Sequence, residues 1–344
     1  MDRINTYELK SGMVLAEDVG SLRSGAILIS KGTVLNKKSI KKIYDHGIRY
    51  INIYSEKDLP SNLEEEQLEI KYEVLADKLD NTFTDIKIGK KIVLTEINEE
   101  VDDLIIEIQK NNNILGRMRE LEEKDDYTFN HSLNVSMLAT ALGKWLGYSQ
   151  KEIKQLAIAG LFHDIGKLKI RDDIINKPGK LSETEYKEIK EHTIYGYNIL
   201  KETVGISKNI SLAVLQHHER EDGSGYPLGL NSSQIHEYAK ILAVCDTYDA
   251  MTSNRAYQSK RSPFFVAEIL RDEAFTTLNS QVTKIFLDKI AGFYVGCTVL
   301  LSNGEKGDII YIHPQAPTKA IVKVEEEFID FLKPQDIAIV DIIK

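Results

Sequence analysis

Five of the chain's eight histidines, His131, His163, His192, His217 and His218, fall in a region whose apolar residues recur at helical spacing. His131 opens the run Leu133, Val135, Leu138, Leu142 and Trp145, and His163 ends the next one. His192 shares a stripe with Ile189, Gly196 and Ile199, which should turn it inward. His217 and His218 close the run Leu212 to Leu215. Asp246 follows Ala239 to Cys245, a poor place for an unpaired carboxylate. Asp164 directly follows His163 in the stretch Leu161 to Lys167, and Lys167 comes three residues later, on the same face if the helix continues. One buried site holding several imidazoles and two carboxylates would account for this pattern.

Each residue has an ordinary explanation. A single inward histidine is more often a satisfied core residue than a ligand, and Asp246 could be a buried cap or an arginine's partner. Those explanations must hold separately for several residues at once, whereas two cations sharing Asp164 supply a single cause. Imidazole and carboxylate suit iron, manganese or zinc. Six or seven such ligands fit a two-cation site with positions open to water.

The rest of the chain suggests four segments. Residues 1–58 read as a small α+β unit: strands at Met13–Leu15, Ala26–Ile29 and Tyr50–Tyr54, and a helix from Asn36 to His46 ended by Gly47. Residues 59–125 read as a helical connector with stripes at Leu68, Tyr72, Leu75, Leu79 and at Val101, Leu104, Ile105, Ile108. The plainer reading packs these stripes on their own domain; the sharper one makes them a homodimer surface. Residues 126–291 read as six or seven helices, with capping boxes at Ser149/Glu152 and Ser182/Glu185 and a Ser262-Pro263 start. Residues 292–344 switch to strands around the tight-turn pair Asn303-Gly304 and form a small all-β unit docked on the helices. The fold class is therefore mainly α.

Composition narrows the partners. A net charge of −9 argues against broad binding to DNA, RNA or an anionic membrane. Cys245 and Cys297 lie outside any C-x-x-C pattern, the N-terminus has no apolar signal core, and no apolar run approaches ~20 residues. These features lead to an expectation of a soluble, cytoplasmic protein.

The run His163-Asp164, then His192, then His217-His218-Glu219-Arg220 and Asp222-Gly223-Ser224-Gly225-Tyr226-Pro227 resembles the HD-GYP family of the HD phosphohydrolases. The stretch Ile241 to Thr252 resembles the same family, and Leu9 to Leu15 resembles modules often placed before such domains. The resemblance implies a helical bundle that hydrolyses cyclic di-GMP to linear pGpG or GMP, commonly with iron or manganese. It implies that His131, His163, Asp164 and Asp246 serve one metal, and His192, His217 and His218 the other. Lys167 would neutralise phosphate charge or assist the leaving oxygen, Arg255 would bind phosphate, and Gly225, Tyr226 and Pro227 would shape the substrate loop.

The pattern departs from the family twice. Tyr127 stands where some members carry a glutamate for a third metal, with Asp125 and Asp126 out of register, which implies two metals and pGpG as the main product. Gln258 stands where a basic residue often follows the arginine, with Lys260 and Arg261 nearby. Two other readings are carried forward: a non-catalytic module that senses the dinucleotide, and a hydrolase of another nucleotide such as cyclic GMP-AMP.

Overall fold

The computed structural model describes residues 1–21, 26–55, 67–110, 114–116, 118, 121, 130–253 and 261–343. The chain divides into two compact units, Met1–Asn111 and Asn112–Lys344.

In the first unit, β1 (Asp2–Asn5) pairs antiparallel with β4 (Tyr50–Ile53), and β2 (Val19–Gly20) with β3 (Ile27–Ile29). Helix α1 (Lys37–Asp45) begins at a capping box, Asn36 and Ser39 bonding each other's backbone N–H. Leu15, Leu35, Ile43 and Ile51 fill the core between these pieces. The edge strand β1 has no apolar run to mark it in the sequence, whereas the run at Met13–Leu15 makes only isolated bridges, Val14 to Val34 and Leu15 to Ile53. The same unit includes α2 (Gln67–Lys87) and α3 (Thr95–Lys110), which pack together. Their stripes are buried within the chain, from 0% exposure at Leu75 and Leu79 to 5% at Ile105. Ion pairs Lys71–Asp103 and Lys78–Glu100 link the two helices.

The second unit is mainly helical. Helix α4 (Asn130–Trp145) is buried from Ser132 to Gly143 and packs on α5 (Gln150–Phe162), which starts at the Ser149/Glu152 capping box. A short 3-10 turn (Ile165–Lys169) leads to α6 (Asp172–Ile175), α7 (Glu183–Lys190), α8 (His192–Lys201) and α9 (Lys208–Gln216). Helices α10 (Glu237–Thr252), α11 (Pro263–Glu273) and α12 (Ser280–Phe293) complete the bundle. The described residues thus hold more helices than the six or seven expected, partly because α7 and α8 are separate helices meeting at Glu191. The inner stripe of α8 is therefore His192, Thr193, Gly196 and Leu200, not one shared with Ile189 and Ile199.

Strands β5 (Thr298–Leu301), β6 (Lys306–Ile312), β7 (Ala320–Val324), β8 (Glu327–Asp330) and β9 (Ile339–Ile342) form an antiparallel sheet in the order β8-β7-β6-β5-β9. It docks on α11 through the Lys319–Glu268 ion pair and an Arg271 Nη1 to Thr318 Oγ1 bond of 3.3 Å. No described helix is long and apolar enough to cross a membrane.

Candidate metal centre

Helix ends deliver most of the site. His131 lies in the first turn of α4, His163 caps the C-terminus of α5, His192 opens α8, and His217 caps α9 with His218 next to it. Asp164 follows His163 into the 3-10 turn, and Asp246 projects from the buried middle of α10. Two groups result, Asp164 with His192, His217 and His218, and Asp164 with His131 and His163, with the ligating atoms of each within 4.8 Å of one another. Asp164 belongs to both. Asp246 flanks them, its Oδ1 3.1 Å from His131 Nε2 and its Oδ2 3.9 Å from His218 Nδ1.

The hydrogen bonds decide what those nitrogens can do. His163 Nδ1 lies 2.8 Å from the Gly160 carbonyl, His192 Nδ1 2.6 Å from that of Ile189, and His217 Nδ1 2.7 Å from that of Val214. A carbonyl only accepts, so each Nδ1 carries a proton, and the ring's other nitrogen, Nε2, is the one turned inward and able to ligate. His192 Nε2 and His217 Nε2 face each other at 3.4 Å with no proton between two neutral rings. Asp164 Oδ1 is buried, lacks a hydrogen bond, and meets the same His192 Nε2 at 3.4 Å. Converging lone pairs in a low-dielectric interior repel each other unless a cation stands among them. The donor set therefore fits divalent metal, and its carbonyl-fixed tautomers match how ligating histidines are usually held.

The charges point the same way. Burial disfavours charge on His217 and holds it well below its ordinary pKa, with His218, His163 and His192 adding to the effect. Burial likewise holds His218 down to about 3, against the pull of Asp246. Burial pushes Asp164 up, but Lys167 and His163 outweigh it and keep the carboxyl ionised, with Lys167 Nζ 2.5 Å from Oδ2. His131 is the exception. Burial lowers it, yet its bonds to Asp246 and Asp249 raise it to about 9.

Close backbone packing holds the parts in register. A Cβ on Gly166 would sit 1.8 Å from the His192 carbonyl oxygen and 2.5 Å from Gly196 N, so only glycine lets the 3-10 turn lie against the start of α8. Beyond the site, a Cβ on Gly225 would fall 2.4 Å from Glu219 Cα and Arg220 N. Gly225 thus closes the loop onto the end of α9. Tyr226 stacks on His218 with ring centroids 4.6 Å apart, and the Tyr226–Pro227 peptide is cis. Arg255 lies outside the described residues, as do Tyr127, Asp125, Asp126, Gln258 and Lys260. The Arg261 guanidinium rests 5.4 Å from the centroid of Phe265.

Two buried carboxylates were missed in the sequence. Asp249 Oδ2 accepts from His131 Nδ1 at 2.6 Å, fixing that ring as the carbonyls fix the others. Its signal was its position three residues after Asp246, on the same face of an apolar helix. Glu219 accepts the backbone N–H groups of Leu228 and Leu230 at 2.7 and 2.9 Å and ties down the loop bearing Tyr226. Nothing in its spacing pointed to that role.

Comparison with known proteins accords with this geometry. Similar proteins include a cyclic di-GMP phosphodiesterase of Pseudomonas aeruginosa, 34% identical over 70% of this chain and 58% of its own length. A 3'3'-cGAMP-specific phosphodiesterase of Vibrio cholerae is 38% identical over 51% of this chain and 40% of its own length. A cyclic di-GMP phosphodiesterase of Thermotoga maritima is 32% identical over 57% and 50%. The chain thus spans about half the length of these curated relatives. In fold it matches a Bdellovibrio bacteriovorus structure described as an HDG"Y"P protein, with a TM-score of 0.56 at 16% identity over 84% of this chain and 99% of the other. The profile of the family described as HD domain matches residues 110–282. On that match, over half of its length and spanning the whole His–Asp cluster, the chain belongs to the HD domain family.

Proposed function

We propose that this chain is a metal-dependent phosphodiesterase that hydrolyses cyclic di-GMP to linear pGpG. The observation that carries the reading is the convergence of Nε2 lone pairs on the unpartnered Asp164 Oδ1. The names of the relatives supply the substrate class. His131, His163, Asp164 and Asp246 would hold one cation and His192, His217 and His218 a second, with Asp164 common to both. Iron or manganese suits this mixed imidazole and carboxylate set. Such cations, when bound, activate water near neutral pH and offset phosphate charge.

The chain's own groups contribute the rest. Asp164 is held ionised, so it can share its two oxygens between the sites. Lys167, with a side chain 37% exposed, keeps positive charge at the mouth of the cluster, where a phosphate oxygen or a leaving 3′-oxygen would need a donor. Tyr226, with Gly225 and Pro227, walls the entrance beside His218. Arg255 is assigned to phosphate by resemblance alone. The net charge of −9 supports a small ligand over DNA, RNA or a membrane surface, and the composition supports a cytoplasmic setting. A homodimer built on the connector helices would have to use faces other than their buried stripes.

The test is anaerobic purification with metal analysis, followed by separation of products from cyclic di-GMP and, in parallel, 3′3′-cyclic GMP-AMP. About two iron or manganese ions per chain and accumulation of pGpG are expected. Asp164→Asn should abolish turnover, and retained activity in a metal-quantified sample would sink the mechanism. Bound metal without turnover of either dinucleotide would favour the sensing role instead.

A further inference from the structure

We infer that Lys190 is a second phosphate-binding residue, reserved for the phosphodiester of a cyclic dinucleotide that does not react. The inference rests on the substrate reading above. Lys190 ends α7, and its ammonium lies 4.6 Å from the ring centroid of Tyr186 and 5.1 Å from that of Tyr226. Two other lysines of this region are ion-paired, Lys167 with Asp164 Oδ2 at 2.5 Å and Lys177 with both oxygens of Glu185 at 2.7 Å. The Lys190 ammonium has no carboxylate within ion-pair reach among the described residues and lies over the two rings.

Cation–π contact attracts the ammonium to the rings but cannot take up its three N–H donors. A half-buried lysine held this way keeps those donors for an anion. Its location narrows which anion. Tyr226 carries Lys190 on one side and stacks at 26° on His218 of the cation cluster. Lys190 therefore stands one aromatic ring beyond the cluster, on the side bounded by the substrate loop. A simple phosphodiester held at the cluster has nothing to place there. A cyclic dinucleotide carries two phosphodiesters in one ring, so seating one at the cluster obliges the other to find a partner nearby.

The experiment compares wild type with Lys190→Met, which keeps the stem against the tyrosines, and Lys190→Arg, which keeps the charge. Cyclic di-GMP and bis(p-nitrophenyl) phosphate, which has a single phosphodiester, serve as substrates of the metal-loaded full chain. For Lys190→Met, KM for cyclic di-GMP should rise about tenfold with kcat within about twofold, as for lost ground-state contact. Hydrolysis of the single diester and metal content should not change, and Lys190→Arg should stay near wild type. Unchanged KM for cyclic di-GMP, or equal losses on both substrates, overturns the assignment. So does a loss confined to guanine-bearing ligands, with inhibition by cyclic di-AMP unaffected, since Lys190 would then contact a base. Failure of the substrate reading is separately visible, because wild type itself would cleave only the single diester, and the assignment would fall with it.

Discussion

Replacing Asp249 by asparagine should weaken metal binding although Asp249 belongs to neither group of candidate ligands. Its side chain is 3% exposed, and Oδ2 lies 2.6 Å from His131 Nδ1 while Oδ1 accepts from Ser253 Oγ at 3.1 Å. That pair of bonds pins the carboxylate, which keeps a proton on His131 Nδ1 and aims Nε2 at Asp246 and Asp164, 3.1 and 3.7 Å away. Asparagine preserves volume and an acceptor oxygen but removes the charge. A hydrogen bond to a charged group contributes about 1.5–3 kcal/mol and a neutral one about 0.5–1.5, so roughly 1–1.5 kcal/mol should be lost. The independent experience that an outer partner of a ligating histidine sets 10–100-fold of metal affinity overlaps that range at about tenfold. Chelator competition on anaerobically prepared protein measures the change, and far-UV circular dichroism checks that the helices persist. Metal affinity within about twofold of wild type, with the helices intact, would refute the claim that Asp249 orients His131.

Three further expectations follow from individual contacts. Gly166→Ala should destabilise the second unit by about 1–3 kcal/mol or more and reduce bound metal, because its Cβ would meet backbone 1.8 Å away that has no cheap way to yield; wild-type melting and metal content would show that the turn and α8 separate easily. Glu219→Ala should leave the Leu228 and Leu230 N–H groups without their acceptor, cost about 1–3 kcal/mol, and raise KM while sparing metal content; metal loss equal to the activity loss would place Glu219's role elsewhere. His236 caps α10 by accepting the Tyr238 N–H at 3.2 Å, and burial lowers its pKa below 6.5, with Glu237 raising it and Lys240 lowering it. A folded pKa below the unfolded one means the stabilisation is complete above the unfolded value and is lost as pH falls through the folded one. His236→Asn retains a capping oxygen without titrating, so urea midpoints at about pH 5.5 and 7.5 should differ less than in wild type. An unchanged difference would mean that the cap does not titrate.

The sequence was informative wherever chemistry is expensive to bury. Histidines and aspartates within apolar helical runs need partners, so His131, His163, Asp164, His192, His217, His218 and Asp246 announced themselves before any fold was known. Capping boxes at Ser149 and Ser182 and the Asn303-Gly304 turn marked element boundaries because those bonds form between residues three or four apart. Strand β1 and the break at Glu191 were not legible, since β1 is defined by its pairing with β4 and no side-chain cap marks the break.

What the sequence alone determined is therefore the candidate ligand types and the apolar runs that bear them, both set by local spacing and by the cost of desolvating charge. The tertiary structure decided which nitrogen of each ring faces inward, because the Gly160, Ile189 and Val214 carbonyls and Asp249 choose the tautomer. It also decided that Asp164 is common to both groups and that Lys190 stands over Tyr226. Those relations join residues from separate helices and loops. Sequence spacing cannot encode them, since each depends on how one helix end packs against another.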